Sequence, residues 1–553
     1  MKFSLLSRYA FFVGCILVAL ISIPFLSAEP WTWTLFIIAS LLTLVGIKDL
    51  SQDRHAVRRN YPVLGNIRYL VEFIRPEIRQ YLLEGDDEKL PFSRAQRSMV
   101  YARAKNESAD KAFGTLVDVY KPGFEFIGHS MKPIAVPDPG TFRILIGGPQ
   151  CRQPYSASIF NISAMSFGAL SANAIRSLNK GAKMGNFAHD TGEGSISPYH
   201  REGGGDLIWE LGSGYFGCRR EDGHFDPDKF REQANDPQVK MIEIKLSQGA
   251  KPGHGGILPK HKITAEIAAT RGVPMDRDCV SPSSHSAFST PIELMEFIAK
   301  LRELCGGKPV GFKLCLGHPW EFMAIAKAML ETQILPDFIV VDGKEGGTGA
   351  APREFSDNIG LPLREGLLFV HNTLVGVNLR DKIKLGASGK IISAFDIASV
   401  MAIGADWVNA ARGFMFAIGC IQSQSCHTNK CPTGVATQDP LRQKALVVAD
   451  KAERVRNFHH STLHTLAEML ASAGIASPEA LEPHHLVRRT STTEIRLFSQ
   501  IHVFLKPGEL LDETFEGEFY SRMWKLARAD SFDAYNVEVM PSVKAVREPT
   551  FTF

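Results

Sequence analysis

Three cysteines, Cys420, Cys426 and Cys431, fall within one twelve-residue stretch, CIQSQSCHTNKC. Thiolates are soft ligands that suit iron–sulfur clusters or zinc. Three protein thiolates match a 3Fe-4S cluster, whereas a 4Fe-4S cluster needs a fourth ligand. Zinc could recruit His427, although its neighbour Cys426 makes that geometry awkward. A second group of residues recurs in glycine-rich segments: Ser166-Phe167-Gly168, Gly192-Glu193-Gly194, Gln248 to Gly256, Gly346-Gly347-Thr348-Gly349, Ser388-Gly389 and Arg412-Gly413. Glycine lets backbone N–H groups come close to a ligand. Repetition in successive segments points to a large, flat, phosphorylated ligand, and FMN fits that description. A third group is charged. Lys313 interrupts the apolar run VGFKL, where its ammonium could stabilise negative charge on a reduced flavin or be salt-bridged in the core. Lys245, Gln248 and Lys251 are spaced three apart, and two cations with an amide can hold a dicarboxylate.

The elements that must position these residues alternate between strand and helix. Apolar runs at 158–164, 186–190, 241–246, 278–281, 310–315, 338–342, 383–386 and 407–410 read as eight strands. Helical patterns follow several of them, at 172–184, 291–304, 319–332 and 394–403. Eight βα units over about 250 residues predict a (β/α)₈ TIM barrel, whose chemistry sits on the loops after the strands. On this count the glycine loops follow strands one, two, three, six, seven and eight. An open doubly wound sheet is the alternative, but no GxGxxG follows the first strand.

The N-terminus is built for a different solvent. Residues 9–28 and 31–47 contain no charge and read as two transmembrane helices joined by a short turn, with Trp31 and Trp33 at the boundary. Lys2 and Arg8 precede the first run, and Lys48, Arg54, Arg58 and Arg59 follow the second. By the positive-inside rule both flanks are cytoplasmic, which places the catalytic domain on the cytoplasmic face of the inner membrane. The competing reading is a signal peptide cleaved near Ala28. The domains expected are therefore a hairpin (1–50), a charged and mostly helical collar (51–150) with a helix at 67–83, the barrel with its cysteine loop (151–440), and an extension (441–553). That extension should hold a helix at 445–472 and a short strand at 498–506. The 553 residues carry a net charge of only +3, which gives no sign of a nucleic-acid binder, and nine cysteines are too few for a disulfide scaffold.

The ordered motifs AMSFGALS (164–171), TGEG (191–194), QGAKPGHGG (248–256), GGTGA (346–350) and CHTNKCPTGVATQ (426–438) resemble the FMN-binding synthase domain of glutamate synthase over about residues 150–440. That resemblance implies a (β/α)₈ barrel, FMN, and a 3Fe-4S cluster on Cys420, Cys426 and Cys431. It implies reductive amination of 2-oxoglutarate to glutamate with ammonia and electrons from outside, supplied by a donor protein or membrane quinone. Ser166, Phe167, Gly168, Lys313, Gly347, Ser388, Gly389, Arg412 and Gly413 would then hold FMN. Lys245, Gln248 and Lys251 would bind 2-oxoglutarate, and Glu193 and Lys313 would be catalytic. The sequence departs from the family at Ala387-Ser388-Gly389, where Asp-Gly-Gly is usual, and at Pro282-Ser283-Ser284-His285-Ser286, where a His-rich stretch is usual. It opens on the apolar hairpin where the full enzyme has a glutaminase domain. About 115 residues after the barrel cannot hold the large C-terminal β-helix, so the resemblance is to short, stand-alone members. The alternative substrate is a different amine or 2-oxo acid.

Overall fold

A computed structural model describes residues 3–86, 88, 91–108, 110 and 112–535. Lys2 and the end of the extension lie outside the described residues. The chain divides into two compact units, Met1–Leu90 and Pro91–Phe553.

In the first unit, helices Phe3–Ser22 and Pro30–Ser51 form an antiparallel hairpin. The turn between them is closed by Thr32, whose hydroxyl donates to the carbonyls of Phe25 (2.9 Å) and Glu29 (2.6 Å). Gly46 makes the close approach possible, because a Cβ there would fall 2.1 Å from the Phe12 ring. Most of the remaining apolar side chains, including Leu20, Ile21, Leu41 and Leu44, face outward. Both helices are long and apolar enough to cross a membrane. Helix Gly65–Ile78 continues as one wider turn over Arg79–Leu83, so the helix expected at 67–83 is present.

The second unit is built on a closed parallel barrel. Its strands are β1 (Phe160–Ile162), β2 (His189–Asp190), β3 (Leu207–Leu211), β4 (Val239–Lys245), β5 (Val310–Leu314), β6 (Phe338–Asp342), β7 (Lys384–Ser388) and β8 (Trp407–Ala410). Closure is made by β8 against β1, with Val408 opposite Phe160. The count of eight agrees with the sequence reading, but one member differs. Leu207–Leu211 is a barrel strand that the reading missed. The segment at 278–281 is not one: Cys279–Val280 pairs antiparallel with Ile257–Leu258 inside the long loop after β4. The cause is physical. Glu210 interrupts the apolar run LIWEL, yet all five residues are buried because Glu210 finds an ion-pair partner inside the barrel. Val280, by contrast, is 57% exposed. The QGAKPGHGG loop therefore follows the fourth strand, and Pro282–Ser286 belongs to that same loop. β7 also ends later than expected, which puts Ser388 on the strand.

The helix after β1, α1 (Ala172–Gly185), is capped by Ser171, whose hydroxyl accepts from the Ala174 N–H at 3.2 Å. The long helix α2 (Val448–Ala473) crosses it at Gly181, where a Cβ would lie 2.5 Å from the Val455 side chain. The helix Arg94–Ala104 also packs on α2: the Asn457 amide donates to the Ala104 carbonyl at 3.3 Å. The chain from Pro91 onward is thus part of the barrel unit. No strand forms at 498–506. Ile495–Leu497 is the strand, and Phe498–Ile501 turns helical, with Phe498 buried and the Gln500 side chain accepting from the Leu497 N–H at 3.1 Å.

Candidate active site

Every glycine-rich segment leaves the C-terminal end of a barrel strand, which is the catalytic face of this architecture. At the ends of β2 and β4, Glu193 and Lys245 form an ion pair at 3.1 Å, and Lys245 also donates to the Gln248 side chain at 2.5 Å. Lys251 is buried and donates to the Ala350 carbonyl at 3.1 Å, which ties the β4 loop to the β6 loop. Burial opposes charge on Glu193, but the cations of Lys245, Arg271 and Lys251 outweigh it and hold the carboxyl below its ordinary value. Burial pushes the Lys251 ammonium down. The residues expected to bind a dicarboxylate and the expected catalytic glutamate are thus brought together. His285, from the segment that departs from the family, donates from Nε2 to the Lys245 carbonyl (2.9 Å), and its Nδ1 meets the Tyr215 hydroxyl (3.1 Å). Burial lowers it to about 4, so it is a neutral brace for the end of β4.

Lys313 sits inside the barrel. Its ammonium pairs with Glu210, with Glu243 at 2.8 Å and with Asp190 at 3.7 Å. Lys313 stands on β5 and its partners on the neighbouring strands β4, β3 and β2, and all four side chains are buried. The three carboxylates present oxygens within 4.8 Å of one another, all of them buried. Burial opposes charge on Lys313, but Glu210, Glu243, Asp190 and Asp342 hold it well above its ordinary value. Burial raises Glu243 to about 7 and Asp190 well above the usual carboxylate range. Asp342, at the end of β6, accepts from the Gly249 N–H at 2.7 Å. The salt-bridged arrangement that was one reading of Lys313 is present.

At the ends of β6 to β8, Arg412 is half-buried between the Phe92 ring, 4.8 Å away, and the Glu345 carbonyl. Gly347 packs against it: a Cβ there would lie 3.0 Å from the guanidinium Nε. Burial lowers Arg412 to about 10. Ser388 reaches the Ser163 hydroxyl at 3.4 Å, joining the ends of β7 and β1. Gly389 has φ +152°, a conformation that favours glycine. A Cβ on Gly413 would lie 3.2 Å from the Phe458 ring. Arg412 and the neighbouring backbone can therefore receive an anion, as a phosphate group requires.

The β1 loop is held by side chains from elsewhere. Arg271 donates to the Phe167 carbonyl (3.1 Å) and Lys262 to that of Ala169 (3.1 Å), while Gln438 donates to those of Gly168 (3.1 Å) and Leu170 (2.9 Å). Phe167 is itself buried against Tyr199. Ser166 lies between the β1 and β2 loops, its N–H 2.9 Å from where a Cβ on Gly192 would stand.

The cysteine loop follows the helix Arg412–Ala417. Its thiols feel one another: burial raises Cys420 to about 12, and Cys426 and Cys431 add to the rise. Burial also opposes a Cys431 thiolate. The N–H groups of Ala436, Thr433 and Val435 and the Thr433 hydroxyl outweigh it and hold that thiol below its ordinary value. Lys262 donates to the Cys426 carbonyl at 3.2 Å. Three thiols that influence one another electrostatically, one of them stabilised as thiolate, are the donor type a soft metal centre takes.

The conserved region in glutamate synthase matches residues 149–476 of this chain. The chain belongs to the glutamate synthase family. It is 38% identical to the glutamate synthase large subunit-like protein YerD of Bacillus subtilis, over 84% of this chain and 96% of that one. It is 36% identical to an archaeal glutamate synthase [NADPH] of Methanocaldococcus jannaschii, over 58% of this chain and 60% of that one. A solved flavocytochrome b2 variant superimposes with a TM-score of 0.42 at 14% identity, over 85% of this chain and 97% of that one. As a member of the glutamate synthase family the protein is an oxidoreductase.

Sequence reasoning missed Glu210, Glu243 and Asp190, and also Lys262, Arg271 and Gln438. Of the first set, Glu210 was hidden with the unread strand β3, whereas Asp190 and Glu243 lie in strands that were read but whose inward carboxylates were not singled out. The second lies in segments that read as polar loop, where a buried cation has no distinguishing pattern.

Proposed function

We propose that this protein makes L-glutamate by reductive amination of 2-oxoglutarate, using ammonia and electrons delivered from outside. FMN would supply hydride transfer, and a cluster on Cys420, Cys426 and Cys431 would relay electrons to it, with 3Fe-4S the form that three thiolates suit. Ser166, Gly168, Gly347, Ser388, Gly389, Arg412 and Gly413 would hold the flavin nucleotide, Arg412 taking its phosphate.

The observation that carries this reading is the group of Glu193, Lys245, Gln248 and Lys251 at one side of the barrel mouth. Lys245 is paired with Glu193 and Gln248. A dicarboxylate would take over both ammonium groups, one at each end, and the Gln248 amide would orient it. This exchange withdraws the cations that keep Glu193 a weak base. Glu193 then becomes able to accept a proton from ammonium at its Oε atoms, which frees ammonia beside the keto carbon. Binding of the acid thereby prepares the amine. Lys313 and its buried carboxylates lie inside the barrel beneath these loops and fix the strand ends that carry Glu193 and Lys245.

The apolar hairpin supports a location at the inner membrane, with the barrel on the cytoplasmic side and electrons arriving from a donor protein or from quinone. It also favours a second reading, in which the same centre acts on another amine or 2-oxo acid. The test is anaerobic turnover with 2-oxoglutarate, ammonium and reduced ferredoxin or dithionite. Glutamate is the expected product. Flavin- and iron-replete protein that forms none, yet reoxidises with another member of a 2-oxo acid panel, would establish the second reading.

A further inference from the structure

The carbonyls of Phe167, Gly168, Ala169 and Leu170 each accept a side-chain donor from a distant part of the chain. One of these donors does more than the others. Lys262, in the turn Lys260–Lys262, is 3% exposed, and its ammonium bridges the Ala169 carbonyl of the β1 loop and the Cys426 carbonyl of the cysteine loop. Burial lowers this ammonium to about 8, and the charges of Cys426 and Cys431 oppose that shift. Two carbonyls alone do not require a cation, since an amide NH₂ donates two hydrogen bonds without the desolvation cost of a buried charge.

We propose that Lys262 is a positioning residue that fastens the flavin-binding loop to the cysteine loop and places a fixed positive charge beside the iron–sulfur centre. The inference rests on the flavin and cluster assignment above. A reduced cluster carries one more negative charge than an oxidised one, so a neighbouring ammonium favours reduction and raises the midpoint potential. Because the same ammonium holds the β1 loop, it also sets the gap that electrons cross to reach flavin.

The test uses full-length holoprotein carrying Lys262→Gln, Lys262→Met or Lys262→Arg, with iron, flavin and the cluster midpoint potential measured by paramagnetic resonance titration. Lys262→Gln keeps donors and loses charge, so it should retain flavin and show a lower potential. Lys262→Arg keeps the charge and should stay near the wild type. Lys262→Met should show the lower potential together with slower reoxidation of the cluster by flavin. Loss of iron from Lys262→Gln but not from Lys262→Arg would equally support the role of charge. Lys262→Gln holding full iron and flavin at the wild-type potential would overturn the proposal. Wild-type protein with neither cofactor would instead overturn the assignment on which it rests.

Discussion

Replacing Lys313 by Met removes the ammonium that pairs with the buried carboxylates of Asp190, Glu210 and Glu243. The thioether fills similar space, so the loss is electrostatic. Removing one partner of a buried ion pair costs about 3–5 kcal/mol, a large part of a typical total stability of about 5–15 kcal/mol. The sign of its pH dependence follows from the groups left behind. The Lys313 value is raised in the folded state, so its stabilisation is complete below the unfolded lysine value and is lost only in strong alkali. It is therefore constant across the neutral range. Glu243 and Asp190 are raised, Glu243 to about 7. Their burial is tolerated while they are protonated and becomes destabilising as pH climbs from the unfolded carboxyl value through the folded one. Without the ammonium both rise further. The cost of Lys313→Met should thus be about 3–5 kcal/mol near pH 8 and roughly half that or less near pH 5.5. Denaturant unfolding followed by circular dichroism reads both values. Adding Glu243→Gln should recover part of the loss near pH 8. A cost under about 1 kcal/mol, or one that does not change with pH, refutes the reasoning.

Three further outcomes follow from the mouth of the barrel. Glu193→Gln should lower the ammonium-dependent rate about 10²-fold or more while leaving flavin content unchanged, as read by steady-state turnover and absorbance. Lys251→Met should raise the KM for 2-oxoglutarate about tenfold or more, the worth of one charged hydrogen bond, with kcat little changed. Arg412→Leu should lose flavin on gel filtration, and Arg412→Lys should retain more of it because the charge survives although the planar fork does not.

Legibility in the sequence followed the chemistry of each residue's surroundings. The cysteine loop, the glycine loops and the Lys245–Gln248–Lys251 spacing were readable because their residue types are unusual where they stand. Strand β3 was not, because Glu210 breaks the apolar pattern and its justification, Lys313, lies a hundred residues away. The segment at 278–281 imitated a barrel strand because two-residue pairing inside a loop needs the same residue types. Lys262 was invisible as a site residue, since its hydrogen-bond partners are backbone carbonyls, which every sequence supplies. Phe498 was read as strand from its apolar neighbours, although a local cap by Gln500 turns it helical.

The central claim is that a flavin and a thiolate-held iron centre share the mouth of this barrel. Optical and paramagnetic resonance spectra of anaerobically purified protein, with metal analysis, test it directly. The account predicts flavin absorbance, iron and acid-labile sulfide in proportion to the chain, and an iron–sulfur resonance that Cys426→Ser abolishes. Stoichiometric zinc without iron, or a flavin-free protein whose Cys426→Ser variant has an unchanged spectrum, would contradict it.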